Sequence, residues 1–150
     1  MNPYPNATAN AYKTLEVTSS HRLKVVVMIY DAGIAALKQA LASHNRNDLI
    51  KRNQYVSRAQ FIVQELNNSL DMQRGMEISS NLRKLYFFLI RHLSQVLTDN
   101  DREKIEQSLA ILLKLREAWQ EISQKTLKDE NVQKASDVYH TEKKLDAINV

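Results

Sequence analysis

Hydrophobic positions recur at intervals of three and four residues from about residue 18 to about residue 128 of this chain. That spacing places apolar side chains on one side of an α-helix. Polar stretches interrupt the pattern at residues 44–47 and 98–101, and Gly75 offers a third stop because glycine favours the position just after a helix. The pattern therefore predicts four long helices, over about residues 18–43, 48–73, 77–97 and 101–127.

The second, third and fourth of these helices each have one apolar stripe, which we expect to form the core. The stripes are Val56, Ala59, Val63, Leu66 and Leu70; Ile78, Leu82, Leu85, Leu89, Leu93 and Val96; and Ile105, Leu109, Leu112, Trp119 and Ile122. Long helices joined by short loops favour an antiparallel four-helix bundle. We expect an all-α fold with that bundle over residues 18–128, an N-terminal arm over 1–17, and a C-terminal tail over 129–150 with a weaker helical segment.

The first helix differs because it is apolar on two sides. One side holds Leu23, Val26, Val27, Tyr30, Ile34, Leu37 and Leu41, and the other holds Val25, Met28, Ile29, Ala32, Ala36 and Ala40. A four-helix core covers only one side of each helix, so the second side needs another cover. The N-terminal arm, the C-terminal segment, a second subunit and a partner protein all remain open as that cover.

Three aromatic residues, Phe61, Phe87 and Phe88, lie off the core stripes of their helices. Single exposed apolar residues are common, whereas several large ones indicate an interaction surface. Coverage of these rings by the arm or the tail is the alternative.

The composition lacks the residues and motifs of most catalytic sites. The chain has two glycines and no cysteine, which excludes glycine-rich phosphate loops, disulfides and thiolate chemistry. Its four histidines are scattered, and neither Glu-x-x-His nor His-Glu-x-x-His occurs. We therefore expect no enzymatic activity, no cofactor and no bound metal.

Charge and hydropathy indicate a location and limit the partners. The net charge is +4, and no run of like charge exceeds two residues, so we expect no nucleic-acid binding. The longest uninterrupted apolar runs, at residues 25–30 and 86–90, are too short to span a bilayer. The N-terminus has no basic and apolar leader pattern. The expected location is the cytoplasm, without membrane insertion.

Five stretches, in order, resemble the flagellar export chaperones called FliS. They are Ala11-Tyr12 with Val17; residues 28–34 (MIYDAGI); Ala59 with residues 62–66 (IVQEL) and 69–71 (SLD); Gly75 with residues 77–78 (EI) and 81–86 (NLRKLY); and residues 112–119 (LLKLREAW). The resemblance covers about residues 11–122. Each stretch alone is mostly core spacing, but the five together in register are specific.

The resemblance implies a cytoplasmic chaperone that binds the disordered C-terminal region of flagellin, prevents its premature polymerisation and delivers it to the flagellar type III export gate. It implies Tyr12 and Val17 as anchors of the arm. Together with the periodicity it indicates Val25, Met28, Ile29 and Ala32 as the floor of a groove for flagellin. The expected state is a monomer or weak dimer. The alternative is a structural or scaffolding bundle that homodimerises through its first helix.

Overall fold

The computed structural model describes residues 19–148, and within that range the chain is helical apart from short connections. Helix α1 spans Ser19–Asn45, α2 spans Leu49–Asn68, α3 spans Met72–Asp99 and α4 spans Arg102–Ile148. The predicted all-α fold with four long helices is confirmed. The predicted arm anchors Tyr12 and Val17 lie outside the described residues.

The described chain divides into two compact units, one of residues 26–117 and one formed by residues 19–25 and 118–148. The unit of residues 26–117 is a four-helix bundle in which α1 lies beside α2 and α4. A Cβ placed on Gly33 of α1 would lie 3.3 Å from Ile62 of α2 and 3.3 Å from Leu112 of α4. His44 of α1 contacts Arg52 of α2, so residue numbers rise along one helix and fall along the other.

Helix α3 occupies the fourth corner of this bundle. Gln60 of α2 donates to the Ile90 carbonyl at 2.9 Å and to the Ser94 hydroxyl at 2.7 Å, while His92 of α3 bonds Gln107 of α4 at 2.6 Å. Helix α3 thus lies between α2 and α4, diagonally across from α1. Neighbouring helices run antiparallel, as the short loops predict.

Most of the fully buried side chains of the 26–117 unit come from the predicted stripes, but Tyr86 lies outside the stripe predicted for α3, in which Leu82 and Leu85 are only partly buried. Its fully buried apolar side chains include Tyr30, Leu37, Val56, Val63, Tyr86, Leu89, Leu93, Ile105 and Leu112. The hydroxyls of Tyr30 and Tyr86 hydrogen-bond to each other across the bundle. Burial, followed by the charge and hydrogen bond of Tyr30, raises the pKa of Tyr86, so this hydroxyl stays protonated in the core.

The three connections between helices are capped by short polar side chains. The Asp48 carboxylate accepts from the Lys51 amide at 3.2 Å, and the Asp101 carboxylate accepts from the Glu103 amide at 3.0 Å. Asn100 adopts the left-handed conformation that ends α3. The breaks predicted near residues 44–47 and 98–101 are therefore present.

The second break differs from the prediction. Helix α2 ends at Asn68 rather than near residue 73, and Asp71 begins α3 by accepting from the Gln73 amide at 3.1 Å and the Arg74 amide at 3.0 Å. Helix α3 then kinks at Met76. Ile78, predicted as a core residue, is 69% exposed because it follows this kink at the end of the bundle.

Helix α4 is longer than the sequence pattern predicts. Residues 131–148 are helical, but they continue the same helix instead of forming a separate segment. In the unit that contains this end of α4, the Glu130 carboxylate accepts from the Ser20 amide at 3.1 Å and from the Ser20 hydroxyl. These bonds lower the pKa of Glu130. In the same unit Trp119 is partly buried and Ile122 is 47% exposed, so neither is the fully buried core residue that the stripe predicts.

One described helix, Ser19–Asn45, is long and apolar enough to cross a membrane by length and composition. Core helices of soluble proteins pass the same test. Within the 26–117 unit this helix contributes Tyr30, Leu37 and Ala40 to the core, each with no exposed surface. Its apolar character is therefore accounted for in part by packing inside the bundle.

Candidate partner-binding groove

A shallow groove lies between α1 and α2 in the unit of residues 26–117. It has a volume of about 130 Å³. Its lining consists of Ala32, Ala35, Ala36, Gln39, Tyr55 and Arg58. We call this depression the α1–α2 groove. Three alanines form its floor because they fall on one side of α1, at positions i, i+3 and i+4.

The predicted groove residues lie on this side of α1 but differ in exposure. Met28 is 62% exposed and precedes Ala32, itself exposed, by one helical turn. Val25 is 41% exposed on the same helix, three residues before Met28. Ile29 is partly buried. Val25, Met28 and Ala32 are therefore exposed, and their assignment as the floor of a binding groove stays a prediction.

The other members of the predicted second side, Ala36 and Ala40, are buried in the 26–117 unit. Both fall on the α1 flank that packs within the bundle, where small side chains leave room for neighbouring helices. The exposed surface of α1 in the 26–117 unit is therefore narrower than the periodicity alone predicts. In that unit it includes Met28 and Ala32.

Sequence reasoning missed the contribution of α2 to the groove. Tyr55 and Arg58 are one turn apart on α2 and face α1 across the alanines. Neither belongs to an apolar stripe or a motif, so only the packing of the two helices brings them to the site. They give the groove an aromatic wall and a cationic edge beside an apolar floor.

Charge on the opposite flank of α1 is paired. The Arg116 guanidinium of α4 donates to the Asp31 carboxylate of α1 at 2.8 Å. Both side chains are well exposed, so this ion pair contributes little to stability. Its effect is to leave the Arg58 edge as the principal charged feature of the groove.

The three off-stripe aromatics do not gather at the groove. Phe61 is 61% exposed on the outer side of α2, one turn beyond Arg58. Phe87 and Phe88 are 47% and 41% exposed on α3, the helix diagonal to α1. The exposed aromatic residues of the 26–117 unit therefore mark at least two different surfaces.

Within residues 19–148, no group of three His, Asp or Glu side chains is placed to hold a metal ion. What the described surface offers is an apolar groove between two helices, flanked by an exposed methionine. Partner helices dock their apolar faces into grooves of this kind. The fold and the groove are typical of small helical bundles that bind a segment of another polypeptide.

Comparison with known proteins identifies the family to which this helical bundle belongs. The profile of the family described as "Flagellar protein FliS" matches residues 4–126 of this chain. The chain therefore belongs to the FliS family, and the resemblance noted in its motifs is confirmed.

Several curated relatives carry the same description. The "Flagellar secretion chaperone FliS" of Salmonella typhimurium is 33% identical over 110 residues, which cover 73% of this chain and 82% of the relative. The protein of that name from Bacillus subtilis is 27% identical over 85% of this chain and 91% of its own length. "Flagellar secretion chaperone FliSB" of Pseudomonas aeruginosa is 27% identical over 72% and 86%. The family is one of export chaperones.

Proposed function

We propose that this chain is a cytoplasmic export chaperone for flagellin. It binds the disordered C-terminal region of flagellin, keeps that region from polymerising, and delivers it to the flagellar type III export gate. It needs neither catalysis nor a cofactor for this. The observation that carries the proposal is the uncovered apolar side of α1, with Met28 62% exposed beside the α1–α2 groove, in a member of the FliS family.

Binding a disordered segment with useful affinity requires apolar contact. Ordering a disordered segment on binding costs about 2–5 kcal/mol. Burying a methionine side chain fully contributes about 1.5–3 kcal/mol, so a few residues such as Val25, Met28 and Ile29 offset that cost. The unbranched Met28 side chain adapts to different contours of a client helix. The alanine floor allows the client backbone to approach α1 closely.

The arm supplies a temporary cover in this proposal. Tyr12 and Val17 fall within the family match, which starts at residue 4. We propose that they anchor the arm over the exposed side of α1 when no client is bound. The client then displaces the arm, and an exposed apolar surface is avoided in both states.

The alternative, a bundle that homodimerises through α1, would use the same exposed side chains. It predicts that Met28 becomes protected as protein concentration rises, without any client. Family membership favours the client instead, with the chain itself a monomer or weak dimer.

Co-expression with the flagellin of the same organism, followed by size-exclusion chromatography, tests the proposal. We expect the two proteins to elute together without nucleotide or metal, and flagellin lacking its C-terminal region to elute alone. Met28→Glu places a carboxylate where the client would bury it, and an unpaired buried charge is costly. We expect this variant to lose the complex and keep its helices.

Ile50→Glu is the matched control, because Ile50 is also an exposed apolar residue, at 76%, and it lies on α2 away from the groove lining. It should retain the complex. Circular dichroism on each variant separates lost binding from lost folding. If the Met28→Glu variant keeps its helices and still binds flagellin, the exposed side of α1 is not part of the binding site.

A further inference from the structure

Helix α3 carries a second exposed surface that the proposed flagellin site does not use. We call it the α3 strip and define it by Arg83, Lys84, Phe87, Phe88 and Arg91. These residues project from one side of the helix at positions i, i+1, i+4, i+5 and i+8. The Arg83 guanidinium carbon lies 5.5 Å from the centre of the Phe87 ring. The strip is about 12 Å long at 1.5 Å per residue.

Its charge is of one sign. No aspartate or glutamate occurs between residues 78 and 98, and Glu77 and Asp99 are the acidic residues that bound this stretch. Among residues 19–148, no carboxylate forms an ion pair with any of the three strip cations. Asp99 pairs with Lys104 at 3.5 Å, and Glu103 of α4 is bonded by Gln107. The positive charge of the strip is therefore uncompensated locally.

A depression at one end of the strip combines polar donors with an aromatic ring. It has a volume of about 280 Å³ and is lined by Phe88, Arg91, His92 and Gln95. The Phe88 ring stacks on His92, with centroids 4.9 Å apart and an angle of 23° between planes. A carboxylate placed here would meet a guanidinium and an amide while its own alkyl chain lies against the ring.

The strip points away from the flagellin site. Tyr30 of α1 and Tyr86 of α3 meet through their hydroxyls in the core of the 26–117 unit. Met28 lies on the side of α1 away from Tyr30. On α3, Lys84, Phe88 and Arg91 lie on the side away from Tyr86, and Phe87 and Arg83 lie between that side and the core. A partner on the strip would therefore not compete directly for the α1–α2 groove.

We propose that the α3 strip binds an acidic segment of a second protein, one in which carboxylates alternate with apolar side chains. Arginine and aromatic residues are enriched at protein–protein interfaces, and both dominate the strip. Nucleic acid fits less well, because specific binders neutralise several phosphates along a groove and the strip offers three cations within two to three turns. The strip thus lets the bundle hold its client and a different, acidic partner at once.

Fluorescence anisotropy tests this with defined probes and no flagellin present. The first probe is a short labelled peptide whose charged residues are all glutamate and whose apolar residues are leucine and phenylalanine. The second is the same peptide with lysine for glutamate, and the third is a single-stranded oligothymidine. We expect the full-length protein to bind the acidic peptide, with an affinity that falls as salt is raised, and to bind the lysine peptide far more weakly.

Arg83→Glu combined with Arg91→Glu should lower the affinity for the acidic peptide by about tenfold or more, since each substitution replaces attraction with repulsion. Phe87→Ala should also lower this affinity, through lost apolar contact. Lys38→Glu, a charge reversal at an exposed position on α1, is the matched control and should leave affinity nearly unchanged. Flagellin co-elution should survive the Arg83→Glu and Arg91→Glu changes, which separates this proposal from the preceding one.

Equal binding of the acidic and lysine peptides would overturn the proposal. So would an affinity for the acidic peptide that the double reversal does not change, or tighter binding of oligothymidine than of the acidic peptide. Chemical-shift changes confined to α3 on addition of the acidic peptide would support it, and changes confined to α1 would contradict it.

Discussion

Met76 has φ 44° and ψ −114°, a backbone conformation that residues with a side chain rarely adopt. The preceding Gly75 has no positive φ and serves a different purpose. A Cβ at Gly75 would lie 1.7 Å from the Ser79 hydroxyl oxygen and 2.8 Å from Ser79 Cβ. That hydroxyl donates to the Asp71 carbonyl at 2.9 Å. Gly75 therefore provides space, while Met76 takes the strained geometry.

Met76→Gly should stabilise the protein, because glycine adopts this conformation without steric cost. Strain of this kind costs about 1–3 kcal/mol per residue, and the added flexibility of glycine offsets about 0.5–1 kcal/mol of the gain. We expect a net increase of about 1 kcal/mol in the free energy of unfolding, measured by urea titration. Because Met76 is 73% exposed, little packing is lost.

Gly75→Ala is the companion variant, and it should lower the free energy of unfolding by displacing Ser79. The sequence correctly indicated a break in this region and named the wrong residue for it. Glycine usually signals a positive φ. Here glycine is required at position 75 because Ser79 lies too close to leave room for a Cβ. That contact exists only after the chain folds.

At the scale of helices, Arg52 joins the ends of three elements. Its guanidinium is nearly fully buried and donates to Asn53 at 2.8 and 3.1 Å, to His44 at 3.2 Å, and to Asn100. No carboxylate of the described residues forms an ion pair with it. Neutral acceptors satisfy the buried charge instead: Asn53 in the first turns of α2, and His44 and Asn100 at the C-terminal ends of α1 and α3. Cations are favoured at such helix ends.

This junction predicts a pH dependence. Burial, then the charges of Arg52 and Arg102, lower the pKa of His44 below its usual 6.5. The unfolded chain therefore binds a proton at His44 more readily than the folded protein does. This contribution to stability is complete above pH 6.5 and is lost as the pH falls through the lowered pKa.

We expect the free energy of unfolding to decrease between about pH 7 and pH 5, with part of that decrease due to His44. His44→Gln keeps an acceptor for Arg52 and cannot take up the proton, so its stability profile should be flatter over this range. Urea titrations at several pH values measure both. Parallel profiles for the two proteins would show that His44 does not titrate with folding.

The helices themselves were largely predictable. Breaks at residues 44–47 and 98–101 follow from polar residues that cap helices, and Asp48, Asn100 and Asp101 do so. The end of α4 was not predictable in the same way. No glycine or proline follows residue 128, and the polar residues there continue a helix as readily as they end one. Only the folded chain shows that 131–148 continue it.

At the level of the whole molecule, the periodicity predicted exposed apolar residues on α1 and exposed aromatic residues on α2 and α3, and their role in binding stays a prediction. The uncovered side of α1 was predicted from an excess of apolar positions, and Val25, Met28 and Ala32 are exposed there. Tyr55 and Arg58 could not be assigned, because α2 brings them to the groove only through its packing against α1. Phe87 and Phe88 were predicted to lie off the core. Only the structure shows that Arg83 contacts Phe87 and that the neighbouring cations form no ion pair within residues 19–148.

The proposed binding site for flagellin is the exposed side of α1. Methionine methyl groups report on this directly, since Met28, Met72 and Met76 are the methionines among the described residues and, of these three, Met28 is exposed on that side of α1. Met72 and Met76 lie near the start of α3 and serve as internal references. The experiment is a ¹³C-methyl-methionine NMR titration with the C-terminal segment of flagellin, in which Met28→Leu assigns the Met28 signal.

We predict that the Met28 resonance shifts or broadens until the segment is saturating, while the Met72 and Met76 resonances stay in place. A Met28 resonance that remains unchanged while flagellin is demonstrably bound would contradict the account, because the client would then occupy a different surface.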